Sequence, residues 1–305
     1  MTDTTTDTTI EIFNEKLEKF NAMPKYKQGS QGWHDQRHGY LTASTIVSAL
    51  GLSGEASRKA LLLNKASYGK YGGFNGNDAT HWGNKFEPVA NAVYCHKRGN
   101  IIVHDFGMIT NEQYPILGVS PDGILEDRML EIKCPYSRVI NGHIKFEYWH
   151  QMQEQMWVCD YTKCDFLECK FTAIYEGLFW SLGNKTYRGI IALCINTESN
   201  EINYLYSPVC AESNTELELW ICSVENSTDH LIYIGKTFWR LDKYNCQTVE
   251  RDPEWMTDNY PILEKFWEEL QHYRQIGYES LLKPSQQTTQ QSDWKPEPSI
   301  GVCLL

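Results

Sequence analysis

The stretch from residue 83 to residue 171 constrains the fold more than any other part of this 305-residue chain. Apolar residues at helical spacing predict a helix over residues 83–98 and a second helix over residues 144–159. Short apolar runs predict a β-meander over residues 101–133 and a further strand over residues 166–171. The order helix, meander, helix, strand predicts an α/β fold with a central mixed sheet flanked by helices.

The flanking parts carry weaker patterns. Amphipathic spacing predicts helices over residues 10–22 and 253–273, and shorter helical stretches near Trp33 and over residues 42–50. Short β-like runs between residues 172 and 240 predict a strand-rich elaboration. The expected division is an N-terminal helical segment (residues 1–27), a core (28–171), a C-terminal elaboration packed on the core (172–283) and a disordered tail (284–305) that is rich in Gln, Ser, Thr and Pro.

Composition narrows the class of protein. A net charge of −11 and a pI near 5.3 argue against broad, non-specific coating of nucleic acid, although a local basic groove can coexist with an acidic exterior. The ten cysteines form no C-x-x-C pair, and the chain begins without a secretory signal, so reduced thiols are expected. No run of about 18 apolar residues predicts a membrane span. An intracellular protein is the expectation, and for a viral protein this means the host cytoplasm or nucleus.

One short segment concentrates chemistry. The turn Ser120-Pro121-Asp122-Gly123 is followed, after seven residues, by Glu131-Ile132-Lys133. Glu131 and Lys133 lie two residues apart on a predicted strand and therefore point to the same face, while Ile132 points into the core. The hairpin therefore delivers two carboxylates and an ammonium group to one place.

Hydrolysis of a phosphodiester requires such a set. Carboxylate oxygens suit Mg²⁺ or Mn²⁺, which polarise a phosphoryl oxygen and lower the pKa of bound water. Lys133 can orient or deprotonate that water, particularly if partial burial lowers the pKa of the lysine. The alternative is a salt-bridged surface hairpin, because such charges are common and mostly solvated.

Two helices add candidate residues. Glu87 lies at the edge of the apolar stripe of its helix, where it can reach a site beside the sheet; the alternative is a first-turn acid favoured by the helix dipole, with Pro88 also in the first turn. Tyr148, Gln151 and Gln155 share one face of the second helix, which is either a ligand-binding stripe or a solvated face.

A fourth group lies near the N-terminus. Arg37 can bind a phosphate with two parallel hydrogen bonds, and Ser44, near a helix start, can add a hydroxyl donor. The alternatives are a surface arginine and a serine that caps the helix.

Together these motifs resemble the lambda-phage-type, or viral alkaline, exonuclease and viral recombinase family of the PD-(D/E)XK nuclease superfamily. The resemblance covers roughly residues 28–171 and rests on W-x-x-x-R with T-A-S, G-x-x-x-E-P, S-P-D-G…E-I-K-C-P and a Q-x-Q…M-W-V helix, in that order. It implies a restriction-endonuclease-like core. The roles that it implies are metal ligation by Asp122, Glu131, Glu87 and the Ile132 carbonyl, water activation by Lys133 beside Gln151, binding of a DNA 5′-phosphate by Arg37, Ser44 and Ser120, and possible DNA contacts by Trp33, Tyr148 and Gln155.

The resemblance also implies an activity. The expected protein is a Mg²⁺-dependent hydrolase, using two ions that Mn²⁺ can replace, that degrades double-stranded DNA 5′→3′ from 5′-phosphorylated ends in recombination, repair or replication. A homotrimer and a single-strand annealing protein are the expected partners, with no membrane. Alternatives are an endonuclease or RNA-directed nuclease of the same fold, a nuclease with an iron–sulfur cluster, which the absent C-x-x-C disfavours, and an inactive DNA-binding protein.

Overall fold

A six-stranded mixed sheet organises the molecule, whose computed structural model describes residues 4–72, 76–183, 186–227 and 230–282. Its strands, in spatial order, are β4 (Gly123–Ile124), β5 (Met129–Lys133), β6 (Lys163–Ile174), β9 (Leu231–Glu250), β7 (Arg188–Asn196) and β8 (Ile202–Tyr206). β5 and β6 run parallel, and the other neighbouring strands run antiparallel. The expected mixed sheet is therefore confirmed.

Helices cover both faces of this sheet. They are α1 (Thr4–Asn21), α2 (Gln31–His38), α3 (Ile46–Ala49), α4 (Glu55–Ala66), α5 (Asp78–Lys97), α6 (Phe146–Cys159), α7 (Glu176–Ser181), α8 (Asn214–Glu225) and α9 (Trp255–Ile276). Alternating residues of β5 separate two cores, because Met129 packs in the cluster that contains α6, whereas Leu130 and Ile132 pack with Phe86 of α5. The α/β fold with helices on both sides follows from this alternation.

Helix α5 begins earlier than its apolar pattern predicts. The side chain of Asn77 accepts a hydrogen bond from the backbone N–H of Thr80 (3.0 Å), and this cap starts the helix at Asp78. Pro88 and Glu87 therefore lie in the interior of the helix. The expectation that Pro88 occupies the first turn was wrong. Glu87 is likewise beyond the first turn, so the alternative role beside the helix dipole is excluded.

The expected meander over residues 101–133 is divided between two sheets. β2 (Ile109–Thr110) and β3 (Leu117–Val119) form a separate three-stranded sheet with β1 (Leu41–Thr42), which runs parallel to β3. The strand predicted over residues 101–103 is absent, and only an isolated bridge joins His104 to Ile124. The turn at Asp122 thus connects the small sheet to the large one.

The C-terminal region is built into the main sheet. β9 is 20 residues long and lies between β6 and β7, and the expected boundary after residue 171 falls inside β6. α8 occupies a stretch where only short β-like runs were predicted. The predicted helix with an internal Pro261 is confirmed as α9. The tail expected to be disordered, residues 284–305, lies outside the described residues.

Composition also predicted reduced cysteines and no membrane-spanning helix. All nine cysteines in the described ranges are free thiols. Among those same residues, no helix combines the length and apolar character needed to cross a lipid bilayer.

Candidate active site

Glu131 is the centre of the site and is fully buried. Its Oε1 atom accepts hydrogen bonds from Lys133 Nζ and from Gln151 Nε2 (2.7 Å), while Oε2 accepts from Gln155 Nε2 (2.8 Å). A buried carboxylate needs such partners because burial otherwise penalises its charge. The polar face of α6 therefore points at the sheet, and the reading of this face as solvated was wrong.

Asp122 is fixed by the strand that follows it. Its Oδ2 atom accepts a hydrogen bond from the backbone N–H of Ile132 (2.6 Å). The Ser-Pro-Asp-Gly turn and β5 thus place Asp122 beside the Glu131-Ile132-Lys133 segment, as the predicted hairpin required. One hairpin brings both carboxylates and the lysine together.

The carboxylates of Asp122, Glu131 and Glu87 repel one another. Burial, followed by the negative charge of Glu131 and then of Glu87, raises the pKa of Asp122 well above its usual value. Burial and Glu131 likewise raise the pKa of Glu87. Without a further cation, the site therefore favours the protonated forms of Asp122 and Glu87.

Lys133 remains positively charged in this setting. Burial acts to lower the pKa of its amine, but the carboxylates of Glu131 and Asp122 outweigh burial and raise the pKa. The expectation that burial lowers this pKa was wrong, because the negative charges of the two acids outweigh the effect of burial. A neutral lysine base is not available in this arrangement.

The donor set fits a hard divalent cation. Within the described residues, no three His, Cys, Asp or Glu side chains are grouped closely enough to enclose a metal ion by themselves. Asp122, Glu131 and the Ile132 carbonyl nevertheless offer hard oxygen donors, and a cation would relieve the repulsion between the acids. These residues therefore suit an ion such as Mg²⁺, which keeps several waters in its shell rather than an all-protein cage.

Arg37 is held in a separate cluster. Its Nη2 atom donates hydrogen bonds to Ser44 Oγ (2.9 Å) and to Thr42 Oγ1 (3.3 Å), and its guanidinium lies 4.7 Å from the ring centre of Trp33. Burial lowers the pKa of Arg37, although an arginine stays charged at any physiological pH. Ser44 lies in a 3₁₀ turn, Ala43–Thr45, where its side chain contacts Arg37 as the pocket requires.

A single cavity of about 570 Å³ joins the two clusters. Its walls include Arg37 and Ser120 together with Asp122, Glu87 and Ile132. The proposed phosphate-binding and metal-binding residues, which are up to 95 positions apart in the chain, thus line one space. A nucleotide in this cavity could contact both.

The residues expected to contact DNA have different positions. Trp33 lines the large cavity, and Tyr148 lines a second cavity beyond the hairpin. Gln155 is fully buried against Glu131, so the expectation that it contacts DNA was wrong. Its amide instead orients the carboxylate.

Two supporting residues were missed in the sequence. Thr42 was quoted as part of a motif but not as a partner of Arg37, and Lys65 was not singled out at all. Lys65 is buried, and its Nζ donates to the backbone carbonyls of Arg37 (2.9 Å) and Tyr40 (2.5 Å). The T-A-S motif was a usable signal for Thr42. Nothing in the local pattern of α4 distinguishes Lys65 from a solvated lysine.

Comparison with known proteins agrees with this geometry. Residues 32–162 match the YqaJ-like viral recombinase domain. The sequence is 27% identical to an uncharacterised protein of Acanthamoeba polyphaga mimivirus over 86% of this chain and 56% of that protein, so this chain spans about half the length of that relative. It is 24% identical to a protein of African swine fever virus over 80% of this chain and 86% of that protein.

Solved structures show the same fold. The crystal structure of an alkaline exonuclease from Laribacter hongkongensis superposes with a TM-score of 0.52 at 21% identity, covering 81% of this chain and 95% of that one. The complex of that exonuclease with dAMP gives a TM-score of 0.52 at 22% identity over 83% and 98% of the two chains. The expected restriction-endonuclease-like fold is confirmed. The match of residues 32–162 to the YqaJ-like viral recombinase domain, together with the shared fold, agrees with the resemblance to the lambda-type exonucleases that the motifs indicated.

Proposed function

We propose that this chain is a metal-dependent deoxyribonuclease that degrades double-stranded DNA 5′→3′ from 5′-phosphorylated ends. The observation that carries the proposal is the single cavity that Arg37 and Ser120 share with Asp122, Glu87 and Ile132. A terminal phosphate on Arg37 leaves the next phosphate of the strand within reach of the carboxylates. Cleavage at that phosphate releases one mononucleotide.

Each side chain has a role in this arrangement. Asp122, Glu131 and the Ile132 carbonyl would hold the metal ion, with Glu87 supporting a second ion. A bound divalent ion would supply a polarised phosphoryl oxygen and water of lowered pKa. Gln151 and Gln155 fix the carboxylate of Glu131, so that this ligand needs little reorganisation.

Lys133 acts as a charged group rather than as a neutral base. Its protonated Nζ lies beside Glu131 and can donate a hydrogen bond to the attacking water or to the phosphate that is cleaved. Arg37 binds the terminal phosphate, and Trp33 holds the plane of the guanidinium. This pocket selects a chain end over the interior of a strand.

Two findings support the choice of an exonuclease over an endonuclease. The domain that residues 32–162 match is a viral recombinase domain, and a solved structure of similar fold is that of an alkaline exonuclease. That relative binds dAMP, a mononucleotide of the kind that stepwise digestion releases. The match to a viral recombinase domain favours a role in DNA recombination. A single-strand annealing partner and a homotrimer belong to the proposal through the resemblance of the motifs alone.

Digestion of a linear duplex with Mg²⁺ tests the proposal. One strand carries a label at its 3′ end, the 5′ ends are phosphorylated or not, and a covalently closed circle is the control. Loss of phosphorylated linear duplex, with survival of the labelled 3′ single strand, supports the proposal. Cleavage of the circle would instead indicate an endonuclease, and no cleavage with Mg²⁺ or Mn²⁺ would indicate an RNA substrate or an inactive binding protein.

A further inference from the structure

A second cavity of about 460 Å³ lies at the C-terminal end of β5. It shares Glu87 and Ile132 with the larger cavity, and Tyr136, Arg138 and Tyr148 also line it. The two cavities therefore adjoin beside the catalytic hairpin.

Three cations surround the aromatic ring of Tyr148, which lines this second cavity. Lys133 Nζ lies 5.0 Å, Lys145 Nζ 5.8 Å and Arg138 Cζ 6.0 Å from the ring centre of Tyr148. The neighbouring Tyr136 is 50% exposed although it contacts the ring of Trp82 at 5.3 Å. Lys133 and Arg138 are each paired with a carboxylate, Glu131 and Glu168, so Lys145 and the rings of Tyr136 and Tyr148 are the main groups that a strand would meet here.

The loop that carries these groups is held in place by contacts with side chains of β6. Lys170 Nζ donates to the backbone carbonyls of Pro135 (3.2 Å) and Tyr136 (2.5 Å). Arg138 Nη2 pairs with the almost fully buried carboxylate of Glu168 at 2.6 Å. The residues between β5 and α6 therefore present a pre-ordered surface, which reduces the entropy lost when a ligand binds.

We propose that the surface formed by Tyr136, Arg138, Lys145 and Tyr148 binds the DNA strand on the 3′ side of the phosphate that is cleaved. This inference rests on the proposed function, because the polarity follows from a 5′-phosphate on Arg37. With that end in the first cavity and the scissile phosphate at the hairpin, the following nucleotides leave through the second cavity. Base stacking on the tyrosines and phosphate contacts with the cations are the binding modes used for single strands.

A length series tests the assignment. The substrates are 5′-phosphorylated oligothymidylates of two and eight nucleotides, digested with Mg²⁺, and the measured quantity is the ratio of their kcat/KM values. Wild type should favour the octamer, and Tyr136→Ala should reduce that ratio about tenfold through a higher KM for the octamer. Tyr136→Phe should restore the ratio, because the ring that stacks on a base is retained. The control is Tyr175→Ala, which removes another exposed tyrosine (72%, against 50% for Tyr136) that lines neither cavity.

A binding assay separates this inference from the proposed activity. The anisotropy of a 3′-labelled, 5′-phosphorylated octathymidylate is measured with Ca²⁺, with melting temperatures confirming that each variant is folded. About tenfold weaker binding in Tyr136→Ala and in Lys145→Ala, but not in Tyr175→Ala, supports the strand-binding surface even if wild type cleaves no DNA, and only the proposed exonuclease would then fail. Cleavage by wild type with unchanged binding and an unchanged length ratio in Tyr136→Ala would overturn the surface and leave the exonuclease intact.

Discussion

At the scale of single residues, the decisive feature is that Glu131 is buried yet fully partnered. Two amides from one helix and one ammonium from its own strand contact its two oxygens. The low local dielectric strengthens these contacts and makes the loss of any one costly. The carboxylate is therefore fixed before substrate or metal arrives, and variants that change its partners should change catalysis more than folding.

Lys133→Ala should lower kcat about a thousandfold while Mg²⁺ binding stays close to that of wild type. The variant removes the positive charge beside the reacting phosphate, whereas the hydrogen bonds from Gln151 and Gln155 still hold Glu131 in place. Isothermal titration with Mg²⁺ and single-turnover digestion measure the two quantities. Lys243→Ala, which removes an exposed lysine of β9, is the matched control. Turnover within tenfold of wild type would refute the role given to Lys133.

Arg37→Ala should remove most of the preference for a 5′-phosphate. Hydrogen bonds between charged groups contribute roughly 1.5–3 kcal/mol, so KM for the phosphorylated duplex should rise about 10- to 100-fold. KM for the unphosphorylated duplex should change little. Arg240→Ala, on the exposed side of β9, is the control for loss of an arginine. An unchanged ratio of the two KM values would contradict the phosphate pocket.

At the scale of elements, local capping explains where helices begin. α8 was not predicted because its region reads as short β-like runs, yet Ser213 Oγ accepts a hydrogen bond from the backbone N–H of Glu216 (3.2 Å). Ser-x-x-Glu before an apolar run is a helix-start pattern, so this signal was present in the sequence. Asn77 plays the same part for α5.

Ser213→Ala should lower the free energy of unfolding by about 1 kcal/mol, because an N-cap hydrogen bond is lost. Urea unfolding followed by circular dichroism measures the change. Ser223→Ala, inside the same helix, should have almost no effect, since alanine is the better helix former there. Equal stability of Ser213→Ala and wild type would show that α8 does not depend on this cap.

At the scale of the whole molecule, the buried acids of the site lower the free energy of unfolding when no metal ion is bound. The pKa of Asp122 is higher in the folded protein than in the unfolded chain, so the unfolded chain releases its proton first as pH rises. Metal-free protein should therefore lose stability as pH rises from about 4, near the unfolded pKa, toward the raised folded value. A bound divalent cation favours the ionised acids and reverses the loss.

Mg²⁺ should consequently raise the melting temperature more at pH 8 than at pH 5. The melting temperature is measured at both pH values, in EDTA and at Mg²⁺ concentrations that differ tenfold. Asp122→Asn should unfold at a higher temperature than wild type at pH 8 in EDTA and respond less to Mg²⁺, because one buried charge is gone. An Mg²⁺ effect that is independent of pH, or identical in Asp122→Asn, would contradict this electrostatic account.

The sequence alone determined the elements whose signals are local. Period-two alternation placed Glu131 and Lys133 on one face of β5, helical spacing located α6, and the order of elements predicted the mixed sheet. These signals survive because side-chain direction follows directly from backbone geometry. These local signals were sufficient to identify the hairpin residues, Arg37 and Ser44 as candidates.

Only the tertiary structure decided how those groups meet. The position of β9 in the middle of the sheet, the burial of Gln155 on Glu131 and the support of Arg37 by Lys65 all join residues far apart in the chain. The charge of Lys133 was likewise misjudged, because a pKa depends on the balance between burial and neighbouring charges in space. Sequence spacing carries the direction of a side chain, whereas the neighbours across a sheet are set by packing of the whole chain.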